Sequence, residues 1–159
     1  MSWSKGISNW AIILGVLTVV LAAAFWMIYP LIQTTTNLRI GDGVFDARVA
    51  TTQSAREKGL SGTSSLGEQQ ALILAFPSDS KWQIQVRDMK FPIDIVWLDK
   101  DLKIVYIVKN VTPEISVDTA YKPEFDARYV IELQAGTVDK QKIKLGKTAV
   151  FDINESSVK

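Results

Sequence analysis

The first thirty residues are far more apolar than the rest of the chain, which continues with short apolar runs separated by polar turns. No charged residue lies between Gly6 and Leu38, and residues 10–29 are apolar apart from Thr18. A helix of about 20 apolar residues is long enough to cross the hydrocarbon core of a bilayer. Tryptophan and tyrosine side chains, which prefer the headgroup level, stand near both ends of the run. We therefore predict one transmembrane helix over residues 10–30.

Two other interpretations of the apolar block are weaker. A cleaved signal peptide would use residues 22–24 as its cleavage site, but the apolar run continues to Tyr29 and would leave an apolar new terminus. A buried core helix would show one polar face, and nothing polar marks such a face here.

Charge sets the expected orientation of this helix. Lys5 precedes it, and the next cation along the chain is Arg39. Because cytoplasmic flanks carry an excess of Lys and Arg, residues 1–9 are expected in the cytoplasm and the domain on the extracytoplasmic side. We thus expect a single-pass protein of the cell membrane whose partner is the lipid bilayer through residues 10–30.

The rest of the chain divides into a polar tether over residues 31–37, a β-rich domain over residues 38–154 and a C-terminal tail over residues 155–159. The domain opens with a predicted β-hairpin around residues 41–43, whose Asp-Gly is a strong hairpin signal. Residues 51–58 predict a short helix with a Thr or Ser N-cap, and the glycine that follows suits its C-terminal end.

The remaining elements are predicted from apolar runs and apolar–polar alternation. Residues 71–76, closed by Pro77, and residues 93–98 predict strands buried on both faces, and residues 82–86 alternate as a half-buried strand does. The other predicted elements are strands over residues 103–111, 129–133 and 148–153, a helical turn within 138–144 and an irregular connection over 112–126. The fold class expected is mainly β (α+β): a compact barrel- or sandwich-like domain with one or two short helices, preceded by one transmembrane helix.

Composition narrows the possible chemistry. The chain has neither cysteine nor histidine, which excludes disulfides, thiolate nucleophiles, histidine bases and the commonest zinc ligands. No metal and no cofactor is expected. The 18 basic and 17 acidic residues give a net charge of +1, which offers no electrostatic reason to expect nucleic acid as a partner.

Several motifs follow one another in an order that resembles a known family, the domain of unknown function 192 (DUF192) family. The motifs are residues 56–62 (REKGLSG), 87–99 (RDMKFPIDIVWLD), 128–133 (RYVIEL) and 143–146 (IKLG). The resemblance implies a small, mostly β domain that often stands behind a signal or a membrane anchor, and it implies no activity. The chain departs from the family at residues 84–87, where the family usually shows Phe-Trp-Met-Lys.

Four polar residues are the candidates for a ligand-binding site: Arg87, Asp88, Asp94 and Glu132. Asp94 and Glu132 each interrupt an apolar strand, where a carboxylate costs free energy unless it is paired or hydrogen-bonded. Each is therefore either a ligand-binding group with a raised pKa or a structural hydrogen-bond acceptor. For Asp94 the structural interpretation is favoured, and its expected donors are backbone groups, Arg87 or Arg128. Arg87 and Asp88 lie on a predicted loop, where binding groups concentrate.

These observations favour a non-enzymatic binding module at the cell envelope, with a glycan, a lipid or another envelope protein as its partner. No catalytic residue is assigned. One alternative is a carboxylate-dependent hydrolase or transferase that uses Asp94 and Glu132. A second alternative is a membrane scaffold or assembly factor whose helix contacts partner helices through residues 22–24.

Overall fold

The computed structural model describes residues 9–28, 34–113 and 119–159, with side chains described from residue 10 to residue 24 in the first segment. The chain divides into two units, an N-terminal one that holds helix α1 (Asn9–Ile28) and a second one over Thr34–Lys159. Residues 1–8 of the predicted cytoplasmic flank and residues 31–33 of the predicted tether lie outside the described residues. Residues 35–37 of the predicted tether belong to the first strand, Thr35–Ile40.

The described side chains of α1 are almost all apolar, and all of them are exposed. Across the described residues, no helix combines the length and the hydropathy that crossing a membrane requires. The transmembrane helix over residues 10–30 thus stays a prediction.

The second unit is built on a six-stranded mixed sheet in the order β1-β2-β3-β8-β5-β6, with a separate two-stranded sheet of β4 and β7. Strands β2 and β3 are parallel, and every other pair is antiparallel. The strands are β1 (Thr35–Ile40), β2 (Gly43–Ala50), β3 (Gln70–Ser80), β4 (Ile84–Gln85), β5 (Ile93–Leu98), β6 (Ile104–Val111), β7 (Ala120–Tyr121) and β8 (Ala127–Gln134). Within its described residues, this unit has the helices α2 (Gln53–Lys58) and α3 (Thr137–Lys140) and a 3₁₀ helix (Glu155–Ser157). This confirms the prediction of a mainly β fold with short helices.

The two edges of the six-stranded sheet are joined through one segment near the C-terminus. Val150 exchanges both backbone hydrogen bonds with Arg39 of β1, each at 2.8 Å. One residue earlier, the Ala149 N–H donates to the carbonyl of Leu102, just before β6, at 2.9 Å. This segment therefore bridges the two edge strands of the sheet through isolated pairs of backbone hydrogen bonds.

Both faces of the sheet are covered by apolar side chains, which explains why residues 71–76 of β3 are all apolar and why β5 is apolar apart from Asp94. The inner cluster contains Leu38, Ile40, Phe45, Ile73, Val96, Leu98, Ile131, Leu133 and Val138. The outer cluster contains Leu60, Leu72, Leu74, Phe76, Ile93, Ile95, Trp97 and Val130. The segment between β2 and β3 carries α2 onto the outer cluster.

Local signals place the first elements correctly. The hairpin of β1 and β2 turns at Gly41-Asp42, as predicted. Helix α2 begins after Thr52, whose side chain accepts the Ala55 N–H at 3.2 Å, and it ends at Gly59, whose φ is +49°. Both observations follow the capping preferences of these residue types.

Other boundaries differ from the sequence prediction. Strand β3 continues past Pro77 to Ser80, because its pairing with β8 shifts register between Ala75 and Ser80 and no ladder hydrogen bond is needed from the proline. Within residues 82–86 the alternation of burial is as predicted, but only Ile84–Gln85 form a strand. The last residues pack on the domain, since the Lys159 N–H donates to the Thr51 carbonyl at 2.9 Å.

Candidate ligand-binding cleft

Glu132 is a buried carboxylate in the middle of the sheet. It lies on β8, opposite Leu72 of β3 and Ile95 of β5, and its side chain is 4% exposed. Within the described part of the chain, its Oε2 atom is buried and has no hydrogen-bond partner. Burial raises the pKa of Glu132 to about 7, although the charge of Arg48 on β2 acts to lower it. A buried carboxyl oxygen without a hydrogen-bond partner destabilises the folded protein, and buried groups with shifted pKa values often lie in functional sites. Glu132 is therefore a candidate site residue.

An open cleft of about 710 Å³ lies over this carboxyl group. Its walls come from α2, the loop that follows α2, the end of β3 and the segment around β4. The apolar lining residues are Leu60, Leu74, Phe76, Trp82, Ile84, Val86 and Met89. The polar lining residues include Gln53, Arg56, Glu57, Ser61, Gln83, Gln85 and Arg87, with Glu132 among them.

Two stacked aromatic rings form one wall of the cleft. The centroids of Phe76 and Trp82 are 4.3 Å apart, and their planes are inclined by 13°. The Trp82 indole N–H donates to the Ser78 carbonyl at 2.9 Å, and the Trp82 carbonyl accepts the indole N–H of Trp97 at 2.9 Å. The first bond fixes the edge of the Trp82 ring and the second fixes its backbone, and neither involves a face of the ring.

Arg56 of α2 ties three chain segments together beside the cleft. Its Nη1 donates to the carbonyls of Thr51 and Ala75, each at 2.9 Å, and its Nη2 donates to the carbonyl of Lys159 at 2.7 Å. The guanidinium carbon also lies 5.2 Å from the ring centroid of Phe76, which is a cation–π geometry. Arg56 therefore fixes the wall on which the aromatic pair stands.

The structure separates the four predicted site residues. Arg87 and Glu132 both line the cleft, and Arg87 donates a hydrogen bond to the side chain of Gln85. Asp88 is exposed and is not among the lining residues; its backbone carbonyl accepts the Gly62 N–H at 3.2 Å.

Asp94 is a structural acceptor. It is fully buried on β5, and its two carboxylate oxygens accept the backbone N–H groups of Asn110 and Val138, each at 2.9 Å. The expectation that backbone groups satisfy it is confirmed, whereas neither Arg87 nor Arg128 is its partner in these bonds.

Asp94 and Glu132 lie on opposite faces of the sheet. Asp94 stands opposite Leu133, whereas Glu132 stands opposite Ile95, one position along, and neighbouring positions on a strand face opposite sides. The two carboxyl groups cannot reach one substrate together, so the hypothesis of an acid–base pair is wrong in its geometry.

Sequence reasoning did not select Trp82, Phe76 and Arg56 as site residues. Trp82 was visible as a large ring in an alternating strand, a pattern that more often indicates a core position. Arg56 lies in the first family motif, but its role depends on contacts with Ala75 and Lys159, which are distant in sequence. Among the described residues, no group of three or more acidic side chains is placed to hold a metal ion.

The motifs named above are matched by a family model over most of the chain. The DUF192 model, described as "Uncharacterized ACR", matches residues 35–151. The chain belongs to the DUF192 family. The match spans all eight described strands, so the whole sheet and every cleft-lining residue except Lys159 lie within the DUF192 domain.

Two crystal structures share the fold of this DUF192 domain. A protein from Sinorhizobium meliloti, named as a proposed transcription regulator, is 18% identical, with a TM-score of 0.70, and the match covers 75% of this chain and 95% of that protein. A protein of unknown function from Novosphingobium aromaticivorans is 21% identical, with a TM-score of 0.67, and the match covers 74% of this chain and 84% of that protein. At these identities the likeness shows the fold alone. Among curated proteins, none matches the chain.

Proposed function

We propose that this DUF192 domain is a binding module whose ligand occupies the cleft over Glu132. The observation that carries the proposal is the buried Oε2 atom of Glu132, which has no hydrogen-bond partner within the described residues. Leaving a buried acceptor unpaired costs about 1–3 kcal/mol. Because Glu132 also lines the cleft, a bound donor that reaches its carboxyl group would recover part of that free energy.

The shape and lining of the cleft support the same proposal. Its volume of about 710 Å³ lies in the range that small-molecule sites occupy. Its lining combines apolar and polar side chains in similar numbers, so the cleft offers a ligand both apolar contact and hydrogen-bonding groups. The Trp82 ring and the Glu132 carboxyl group supply one contact of each kind.

We also propose that the domain is held at a membrane by residues 10–30. The support is the sequence, which has no charge between Gly6 and Leu38 and an apolar run of the length that a bilayer needs. Lys5 on the N-terminal side favours a cytoplasmic N-terminus and an extracytoplasmic domain. The ligand would then be a component of the cell envelope.

Ligand binding is tested by nuclear magnetic resonance on the full chain in lipid nanodiscs. A library of small neutral, cationic and anionic fragments is added, and the amide signals of Gly59 and Leu60, which line the cleft, are followed. We expect a subset of fragments to shift these signals in the native chain and to bind more weakly to Glu132→Gln. The control is Glu124→Gln, an exposed glutamate outside the cleft lining. Fragments that bind all three chains alike would contradict the proposal.

The anchor is tested separately in cells. The full chain is expected to stay in the membrane fraction after alkaline carbonate extraction, and the domain is expected to be cleaved by protease added outside the cytoplasmic membrane. Release into the soluble fraction would exclude the anchor, and protection from protease would reverse the proposed orientation.

A second candidate function is general acid–base catalysis by Glu132 alone. The observation in its favour is the pKa of about 7, which suits a group that must both take and give a proton near neutral pH. In that case Glu132→Gln would abolish turnover of a bound compound while its binding remains. Unchanged compound after prolonged incubation with the native chain would exclude this candidate.

A further inference from the structure

We propose that the ligand of this cleft is a saccharide, with one sugar ring packed on the Trp82 indole and a sugar hydroxyl donating a hydrogen bond to Glu132. This inference rests on the proposed function and names the class of ligand for the same site. Three features of the cleft lead to it: the charges around Glu132, the free faces of the aromatic wall and the amide-rich lining.

The charges around Glu132 favour a neutral donor. The positive charge of Arg48 acts on the Glu132 carboxyl group, and the Arg56 guanidinium stands over the Phe76 ring in the wall. The cleft lining itself carries charges of both signs. Its cations, Arg56, Arg87 and Lys159, would repel a cationic ligand. Its anions, Glu57 and Glu132, would repel an anionic one. A hydroxyl group supplies a hydrogen-bond donor without either repulsion.

The aromatic wall offers a flat apolar surface without an unpaired hydrogen-bonding atom. The only polar atom of the Trp82 ring is already bonded to the Ser78 carbonyl, and Phe76 covers the ring on one side. Trp82 is partly exposed and lines the cleft, and the ring face that Phe76 does not cover is the surface that we propose for the ligand. The C–H face of a sugar ring is flat and apolar enough to pack there, while its hydroxyl groups remain free for hydrogen bonds.

The polar part of the lining is rich in amide groups. Alternation around β4 buries Ile84 and Val86 and leaves Gln83 and Gln85 exposed. Gln85 is held by Arg87, so a planar amide and a guanidinium are presented together. Because each sugar hydroxyl both donates and accepts, amide groups that do the same match it better than groups of a single kind.

The inference is tested with the full chain in lipid nanodiscs, which avoids detergents that carry sugar headgroups. Cellotriose, maltotriose and chitotriose are the probes, and saturation-transfer difference spectra identify the protons that touch the protein. We expect at least one trisaccharide to bind, with the strongest transfer at ring C–H protons of one sugar. We expect Trp82→Ala and Glu132→Gln each to weaken this binding about tenfold, since each removes one main contact.

Two further variants keep the test informative. Trp82→Phe keeps an aromatic ring beside Phe76 and should bind the sugar with an intermediate affinity even where the alanine variant folds poorly. Phe125→Ala removes an aromatic side chain that is 62% exposed and outside the cleft lining, and it should leave sugar binding unchanged.

The outcomes separate this inference from the proposed function. If none of the trisaccharides binds, while fragments or 1-monooctanoylglycerol shift the Gly59 and Leu60 signals, the saccharide inference is overturned and the binding module stands. If no compound of any class shifts these signals, both are overturned. Equal sugar binding by the native chain and by Trp82→Ala would also overturn the saccharide inference.

Discussion

The carboxyl group of Glu132 lies directly against Gly59, since a Cβ atom built on this glycine would be 3.6 Å from both carboxylate oxygens. Gly59 ends α2 with a φ of +49°, a conformation that other residues adopt only at a cost. The end of one short helix therefore sets how closely the chain approaches the proposed binding group.

Replacing Gly59 by alanine is expected to have two effects. The combination of φ +49° and ψ −128° is strained for a residue with a side chain, so the unfolding free energy should fall by about 1–3 kcal/mol. The new methyl group also displaces solvent and ligand beside Glu132, so ligand binding should weaken and the pKa of Glu132 should rise further. Urea denaturation and the pH dependence of the Glu132 carboxyl carbon signal measure the two effects.

Gly136→Ala is the matched control for this variant. Gly136 has a φ of +85°, and nothing lies within 4 Å of a Cβ atom built on it. The control should lose a similar amount of stability and keep native ligand binding. A loss of binding in both variants would show that backbone strain, and not the position of Gly59, is responsible.

The raised pKa of Glu132 predicts that stability falls as the pH rises. Unfolding returns this carboxyl group from a pKa of about 7 to its ordinary value of 4.5, so the folded state holds the proton more tightly. The associated stability is fully present below the unfolded pKa and is lost as the pH rises through the folded pKa. The difference amounts to roughly 3 kcal/mol between pH 4.5 and pH 8.

Urea denaturation of the full chain at a series of pH values measures this dependence. The chain has no histidine, so few other groups titrate in the same window. Glu132→Gln should remove most of the slope and should be more stable than the native chain at pH 8. Parallel stability curves for the two chains would disprove the assignment.

Asp94 is expected to be important for stability and not for binding. It accepts two backbone N–H groups in the fully buried core, so Asp94→Ala should lower the unfolding free energy by about 3 kcal/mol. Asp99 also accepts two backbone N–H groups at 2.9 Å, but in the more exposed turn before β6. Asp99→Ala should therefore cost only about 1 kcal/mol. Equal costs would mean that burial of Asp94 contributes nothing.

Arg56 is expected to tolerate lysine poorly. Its planar guanidinium serves three carbonyls at once, and a lysine ammonium cannot reproduce that geometry. Arg56→Lys should lower the unfolding free energy by about 2 kcal/mol and loosen the aromatic wall. Arg87→Lys is the control, because Arg87 is exposed and its hydrogen bond is to the Gln85 side chain. It should change stability by less than about 0.5 kcal/mol.

The sequence predicts those parts of the fold that depend on local chemistry. These parts are the Asp-Gly turn, the Thr52 cap and the apolar runs of β3 and β5, each of which depends on only a few neighbouring residues. It does not predict that β3 passes through Pro77, because that depends on a register shift opposite β8. The order of the strands likewise depends on pairings between segments far apart in the chain.

The candidate site was predictable only in part. Glu132 could be singled out because it interrupts an apolar strand, and the same signal selected Asp94. The two differ in what they meet across space: Asp94 finds the N–H groups of Asn110 and Val138, whereas the Glu132 side chain faces a cleft. Period-two alternation shows which face of its own strand a residue occupies, but it does not show how two strands align. The sequence therefore could not predict that the two carboxyl groups lie on opposite faces of the sheet.

The position of β8 in the sheet has a consequence for how the domain folds. β8 is the last strand of the chain, yet it lies between β3 and β5. Before β8 pairs with its neighbours, the sheet consists of two separate halves, β1 to β3 and β5 to β6. In each half, the apolar strand that will adjoin β8 has an unpaired edge, which makes it prone to aggregation. Folding is therefore dominated by non-local contacts and is expected to be slow. Since Glu132 is carried by the joining strand, the chain acquires this binding group only in the step that unites the two halves, and a half-assembled domain lacks the Glu132 contact.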